Sequence, residues 1–233
     1  HITRADYKFD GAGYLPQERW HVWVLDTASG EATQLTEGDK DETEPRWSPD
    51  GQSILFTSNR SDRPDMDLDA TELYLIPAAG GEMRQFETRP GRKFAAVFSP
   101  DGQHVAYLGR DKPGRWYQNA RLYVAPVAGG GARDISGDSD LHLSGSTNGD
   151  VFNDSSPALP VWSADGQRLY VGASWQGNEP LVALAAFAPN PTPQQVIAET
   201  GVLGGYTFDK ARRRVAYLWS TLDDPAQLLL RDV

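Results

Sequence analysis

The chain contains no cysteine. Disulfides, zinc–thiolate centres and thiol nucleophiles are therefore excluded. A cysteine-free chain suits the cytoplasm, and the periplasm is the alternative setting. No stretch approaches the roughly 20 apolar residues of a membrane span, so no membrane partner is expected. Histidine is scarce, at His1, His21, His104 and His142, and none stands in a metal-ligand spacing. A nucleophile elbow of the form Gly-x-Ser-x-Gly is missing. Gly145-Ser146-Thr147-Asn148-Gly149 has its serine one position early and sits in a Ser/Gly/Asn-rich loop. There is no phosphate loop either, since Ala128-Gly129-Gly130-Gly131 reads as a hairpin turn. Lys and Arg total 22 against 32 Asp and Glu, a net charge of −10. Nucleic acid, whose binding rests on phosphate neutralisation, is not an expected partner. No motif requires a cofactor.

What is present is a repeat. Trp47-Ser48-Pro49-Asp50-Gly51-Gln52 returns as Phe98-Ser99-Pro100-Asp101-Gly102-Gln103 and as Trp162-Ser163-Ala164-Asp165-Gly166-Gln167. A decayed copy is Phe208-Asp209-Lys210-Ala211-Arg212-Arg213. Intervals of roughly 50 residues mark one supersecondary unit used several times. Each unit reads as four short antiparallel strands, because Asp-Gly supplies a tight turn and apolar runs flank it. In the first unit the runs are 44–48, 53–58, 72–76 and 82–86, and the turn at Pro77-Ala78-Ala79-Gly80-Gly81 recurs as Pro126-Val127-Ala128-Gly129-Gly130.

The expected fold is all-β, a β-propeller of four-stranded antiparallel blades. Full blades are expected at about residues 43–88, 93–136 and 157–198, with partial ones at 1–36 and 204–233, about 18 strands in all. Ile2 to Phe9 is expected to be a strand of the first partial blade. Open edges at both ends point to the later part of a larger propeller, since unpaired edges invite aggregation. Recurrent aromatics, Trp23, Trp47, Tyr74, Tyr107, Tyr123, Trp162, Tyr170, Tyr217 and Trp219, are expected between the blades.

Turns after the first and third strands of each blade are tight, and connections after the second and fourth are long. The long connections, such as 59–71, 109–120, 37–43 and 134–157, then share one face. Long loops on a rigid scaffold carry function. Two of them pair Arg with acidic or aromatic residues: Asn59-Arg60-Ser61-Asp62-Arg63-Pro64-Asp65 and Arg110-Asp111-Lys112-Pro113-Gly114-Arg115-Trp116-Tyr117. Arg60, Arg63, Arg110, Arg115 and Trp116 are the candidate substrate-binding or gating residues, because guanidinium forks hold carboxylates and carbonyls. Trp175 could join Trp116 in packing an apolar side chain. Asp65-Met66-Asp67-Leu68-Asp69 begins like a calcium loop, but Ala70 and Ile76 stand where Gly and Glu are required. No metal is expected there.

Three segments resemble the propeller of the prolyl oligopeptidase family, in its acylaminoacyl-peptidase-like branch. They are Tyr7-Lys8-Phe9-Asp10-Gly11-Ala12-Gly13-Tyr14 with His21-Val22-Trp23-Val24; Trp47 to Gly51 with Ser58-Asn59-Arg60 and Pro64-Asp65; and Ser220 to Leu228, with its Asp223-Asp224-Pro225. The resemblance implies a seven-bladed propeller seated over an α/β-hydrolase domain with a Ser-Asp-His triad. It implies a serine peptidase whose propeller admits only peptides or unfolded tails. No triad residue maps onto this chain, so its catalytic residues are none. The implied partners are that hydrolase domain, further blades of the same protein and a peptide substrate. A homo-oligomer is compatible with the sequence but not defined by it. The Trp-Ser-Pro-Asp-Gly repeat is shared with the periplasmic Tol-system propeller, so a stand-alone protein-binding propeller is the alternative. A second alternative is a propeller hydrolase with a metal or carboxylates in its channel, for which Asp39, Asp41 and Glu44 are the candidates.

Overall fold

Wherever Ser-x-Asp-Gly occurs, the chain reverses by the same hydrogen bonds. Ser48 Oγ donates to Asp50 Oδ1 at 2.5 Å, the same oxygen accepts the Gln52 N–H at 3.0 Å, and the Ser53 N–H donates to Ser48 Oγ at 2.9 Å. The turns at Ser99 and Ser163 repeat these distances. Gly51, Gly102 and Gly166 take φ of 69°, 70° and 68°, a region that costs glycine nothing. In the decayed copy Arg212 holds the same place at φ 56°. Arg212→Gly is expected to stabilise the protein by about 1 kcal/mol, read by urea denaturation. An unchanged midpoint would show that this turn stores no strain.

The structure is a computed structural model and describes residues 4–5, 7–9, 13–111, 117–145 and 159–233. Among these the chain forms strands and no helix. β1 (Lys8–Phe9) and β2 (Gly13–Tyr14) make a hairpin, and β3 (Trp23–Leu25) pairs with β4 (Ala32–Gln34). Three four-stranded antiparallel meanders follow. Blade 1 comprises β5 (Glu42–Trp47), β6 (Ser53–Asn59), β7 (Thr71–Pro77) and β8 (Arg84–Gln85). Blade 2 comprises β9 (Lys93–Phe98), β10 (His104–Gly109), β11 (Arg121–Pro126) and β12 (Arg133–Asp134). Blade 3 comprises β13 (Val161–Trp162), β14 (Arg168–Gly172), β15 (Leu181–Ala185) and β16 (Gln194–Ile197). A three-stranded sheet of β17 (Val202–Phe208), β18 (Arg214–Ser220) and β19 (Gln227–Asp232) ends the chain. This is the propeller architecture expected from the repeat.

Strand alternation explains how the blades stack, because successive side chains leave opposite faces of a sheet. In blade 1, Ile54, Phe56, Tyr74 and Ile76 pack toward Val22 of the preceding sheet. Leu55, Leu73 and Leu75 point the other way, against Val105, Tyr107 and Tyr123 of blade 2. In turn Ala106, Leu108, Leu122 and Val124 meet Leu169, Val171, Val182 and Leu184 of blade 3. Tyr170, Leu181 and Ala183 then meet Val215, Tyr217 and Trp219.

Arginines stitch the rims of these seams. Arg84 Nη2 of blade 1 donates to the Val127 carbonyl of blade 2 at 3.1 Å. Arg133 of blade 2 donates to the carbonyls of Ala186 and Ala188 of blade 3. At the next seam the donor comes from the other side, with Arg231 on Val196 O and Glu199.

Two expectations are corrected. Trp23 and Trp47 are 55% and 54% exposed rather than buried between blades. The sheet facing blade 1 on that side contributes only β3 and β4, so no inner strand covers them. Fourth strands are also shorter than expected, with 82–86 shrinking to Arg84–Gln85. The Ile2–Phe9 strand is described only at Lys8–Phe9, and Ile2 and Thr3 lie outside the described residues. So do Asp10, Gly11 and Ala12, and residues 146–158, which are the second half of the 134–157 connection and the start of blade 3.

Candidate functional site

The long connections 60–70 and 110–120 both leave the end of a second strand, so they lie on one face of the propeller. Arg60 begins the first of them. Its guanidinium donates to the Glu42 carboxylate and lies over the Tyr74 ring at 5.4 Å. Glu42 opens β5, and its side chain is fully buried. It also accepts from His21 Nδ1 and from Thr36 Oγ1, each at 2.8 Å. Burying that carboxylate is tolerable only because donors surround it. Arg60 is thus a loop anchor. Asn59 Nδ2 adds bonds to the carbonyls of Pro64 and Asp67, at 3.2 and 2.8 Å, which fold the connection back on itself. Arg63 stands exposed at the turn of this loop, its carbonyl accepting from the Met66 and Asp67 N–H groups. The aspartate-rich stretch therefore forms a turn, and Asp65 accepts from the Ala5 N–H at 3.1 Å.

Arg110 starts the second connection. Its Nε donates to Gln118 O at 2.9 Å and its N–H to Arg92 O at 3.0 Å. Burial and then the neighbouring Arg92 charge lower the Arg110 guanidinium from its usual value, with Asp69 opposing. Arg115 and Trp116 lie outside the described residues. Trp175 is 41% exposed in the 173–180 connection, where its backbone pairs with Asn178.

Sequence reasoning missed the arginines opposite Arg110. Arg89 lies over Tyr123 at 5.8 Å and Arg92 over Phe94 at 6.0 Å. The signal was available, since Arg89-Pro90-Gly91-Arg92 and Lys112-Pro113-Gly114-Arg115 share one pattern. Glu42, His21 and Thr36 carried no such signal, because their meeting depends on the fold.

The channel carboxylates do not converge on a common point. The Asp39 side chain is 87% exposed. Asp41 accepts from Arg19 at 2.8 Å, from Arg4 at 3.2 Å and from the Trp20 N–H at 2.9 Å. Burial pushes its carboxyl up, but the Trp20 N–H and the two guanidiniums outweigh that and hold it low. Glu44 reaches across to blade 2 and accepts the Ala95 N–H at 2.8 Å. Among the described residues no group of three or more His, Asp or Glu is placed to hold a metal.

His142 and Ser144 are adjacent, at 2.6 Å between Nε2 and Oγ. The Ala120 N–H already donates to His142 Nδ1 at 3.0 Å, so the ring proton sits on Nε2. The imidazole therefore donates to Ser144 and cannot deprotonate it. Burial, then Arg110, lowers the His142 pKa and keeps the ring neutral.

Fold and loop arrangement define a repeat propeller whose long-loop face is held by arginine contacts. The comparisons place it more narrowly. No family model matches the chain. It is 35% identical over 85 residues to the uncharacterized peptidase YuxL of Bacillus subtilis, covering 36% of this chain and 12% of that one. It is 25% identical over 187 residues to dipeptidyl-peptidase 5 of Trichophyton equinum, covering 74% and 24%. The chain thus spans a quarter or less of the length of these curated relatives. The solved acylaminoacyl peptidase of Pyrococcus horikoshii superposes with a TM-score of 0.71 at 19% identity, over 100% of this chain and 32% of that one. The chain is thus similar to the propeller portions of larger peptidases, and it has the fold of the acylaminoacyl peptidase propeller.

Proposed function

We propose that this chain gates and selects peptides for an α/β-hydrolase domain of the same polypeptide, within a seven-bladed propeller. The observation that carries the reading is the shared face of the long loops, where Arg63 is exposed and Arg110 is fixed beside Arg92. Relatives bearing peptidase names give the reaction class. In this reading Arg63 and Arg110 meet peptide carbonyls or carboxylates, and Arg60 holds its loop in place through Glu42. Arg115 and Trp116 enter this reading from the sequence alone, since they lie outside the described residues.

Fluorophosphonate labelling of the native polypeptide, read by intact mass, tests the parent assignment. A labelled species far heavier than 25.6 kDa is expected. An unlabelled protein would remove the peptidase reading. Arg63→Ala and Arg110→Ala should each lower kcat/KM for a peptide about tenfold while leaving a small ester within about twofold. Equal losses on both substrates would show that these arginines do not select.

A further inference from the structure

On the opposite face, where the tight turns lie, the seam between blades 1 and 2 holds a cleft of about 440 Å³. Its walls include Pro49, Leu75, Pro77, Phe98 and Val127. The next seam shows why it is open. Strand pairing fixes the equivalent positions: Ser53 opposes Pro77 as His104 opposes Pro126, and Phe98 opposes Val105 as Trp162 opposes Leu169. The Val127 and Ala186 N–H groups donate to the Gln103 and Gln167 carbonyls at 2.8 and 2.9 Å, which makes Ala128 the counterpart of Phe187.

Between blades 2 and 3 the three larger residues form a plug. The His104 and Phe187 rings lie 4.9 Å apart, edge to face, and Phe187 lies 6.4 Å from the Trp162 ring. Between blades 1 and 2 the same places carry Ser, Ala and Phe. The space that the seam of blades 2 and 3 fills with rings from both blades is open at the seam of blades 1 and 2, and its volume falls within the range of ligand pockets.

The rim of this cleft is acidic. Asp50, Glu82 and Asp101 surround it with Arg84, whose guanidinium already serves the Val127 carbonyl. The Ser48 and Ser99 hydroxyls, then the Gln52 and Gln103 N–H groups, hold the two aspartates ionised. We infer that this cleft is a docking site for a separate protein, which inserts an aromatic side chain flanked by basic residues. The ring would replace the missing plug, and the cations would answer the rim. These 233 residues of a second copy are a poor match for the acidic rim, because they themselves carry a net charge of −10.

The test uses the intact polypeptide with any reactive serine blocked by diisopropyl fluorophosphate. The probe is a fluorescein-labelled Gly-Lys-Phe-Arg-Gly amide, read by polarisation. Replacing its Phe by Ala should weaken binding at least about tenfold, as expected for a buried aromatic anchor. Filling the cleft with Ser53→His plus Ala128→Phe should weaken the original probe at least as much while leaving Tm unchanged or higher. Phe98→Trp, a smaller change, should weaken it partially and guards against misfolding of the double variant. Absent binding, or binding indifferent to the filled cleft, overturns the proposal. Equal affinity for free phenylalaninamide would overturn it in favour of a small-molecule pocket. Concentration-dependent self-association lost in the filled variant would overturn it in favour of a second copy.

Discussion

Gly91→Ala should be among the most damaging single-methyl additions in this protein, costing at least about 3 kcal/mol in urea denaturation. Gly91 sits at φ +97°, and a Cβ there would lie 1.8 Å from the Arg110 carbonyl oxygen. The oxygen belongs to the backbone and the Cβ is fixed on its own Cα, so neither can step aside as the end of a flexible side chain could. The connections 86–92 and 110–120 would have to separate, and the Arg110 N–H bond to Arg92 O at 3.0 Å would be lost with them. Gly30→Ala is the matched control. Its φ of +78° carries a similar conformational cost, but nothing lies within 4 Å of its Cβ. That variant should lose only about 1 kcal/mol. Equal losses in the two variants would mean that conformation alone, and not close approach, requires glycine at position 91.

The second large effect is expected at Glu42. Its carboxylate is the common acceptor for Arg60, His21 and Thr36 and is closed off from solvent. Glu42→Ala leaves those donors without their shared partner. Removing one member of a fully buried pair costs about 3–5 kcal/mol. Arg60 and His21 retain 26% and 17% side-chain exposure, so water can reclaim part of that. A loss of about 2–3 kcal/mol is expected, with faster proteolysis of the 60–70 connection. In a double-mutant cycle, Arg60→Ala should add little once Glu42 is gone. Additive losses would show that Arg60 is held by something other than Glu42.

The repeat and its turns were legible because they are local. Ser, Asp and Gly at fixed offsets close their own hydrogen bonds, and two-residue alternation assigns each blade two apolar faces. Tyr107, Tyr123 and Trp162 could be placed between blades on that basis, and they are buried at 1%, 1% and 5%. Trp47 carried the same local signature and is exposed, because burial depends on what stands opposite and not on the strand itself. The working face was legible only as loop lengths. Which arginine anchors and which is free is decided by distant partners: Arg60 meets Glu42 through the pairing of β5 with β6, and Arg110 meets Arg92 across two connections. Such meetings have no fixed spacing and leave no motif.

The stitching arginines have one more implication. Arg84 and Arg133 grip main-chain carbonyls of the following blade, not side chains. A carbonyl is present whatever residue occupies the position, so this link places no demand on the neighbour's identity, only on the path of its turn. This link alone would survive the exchange of a neighbouring blade, so any demand for matched residues falls on the apolar side chains packed between the sheets.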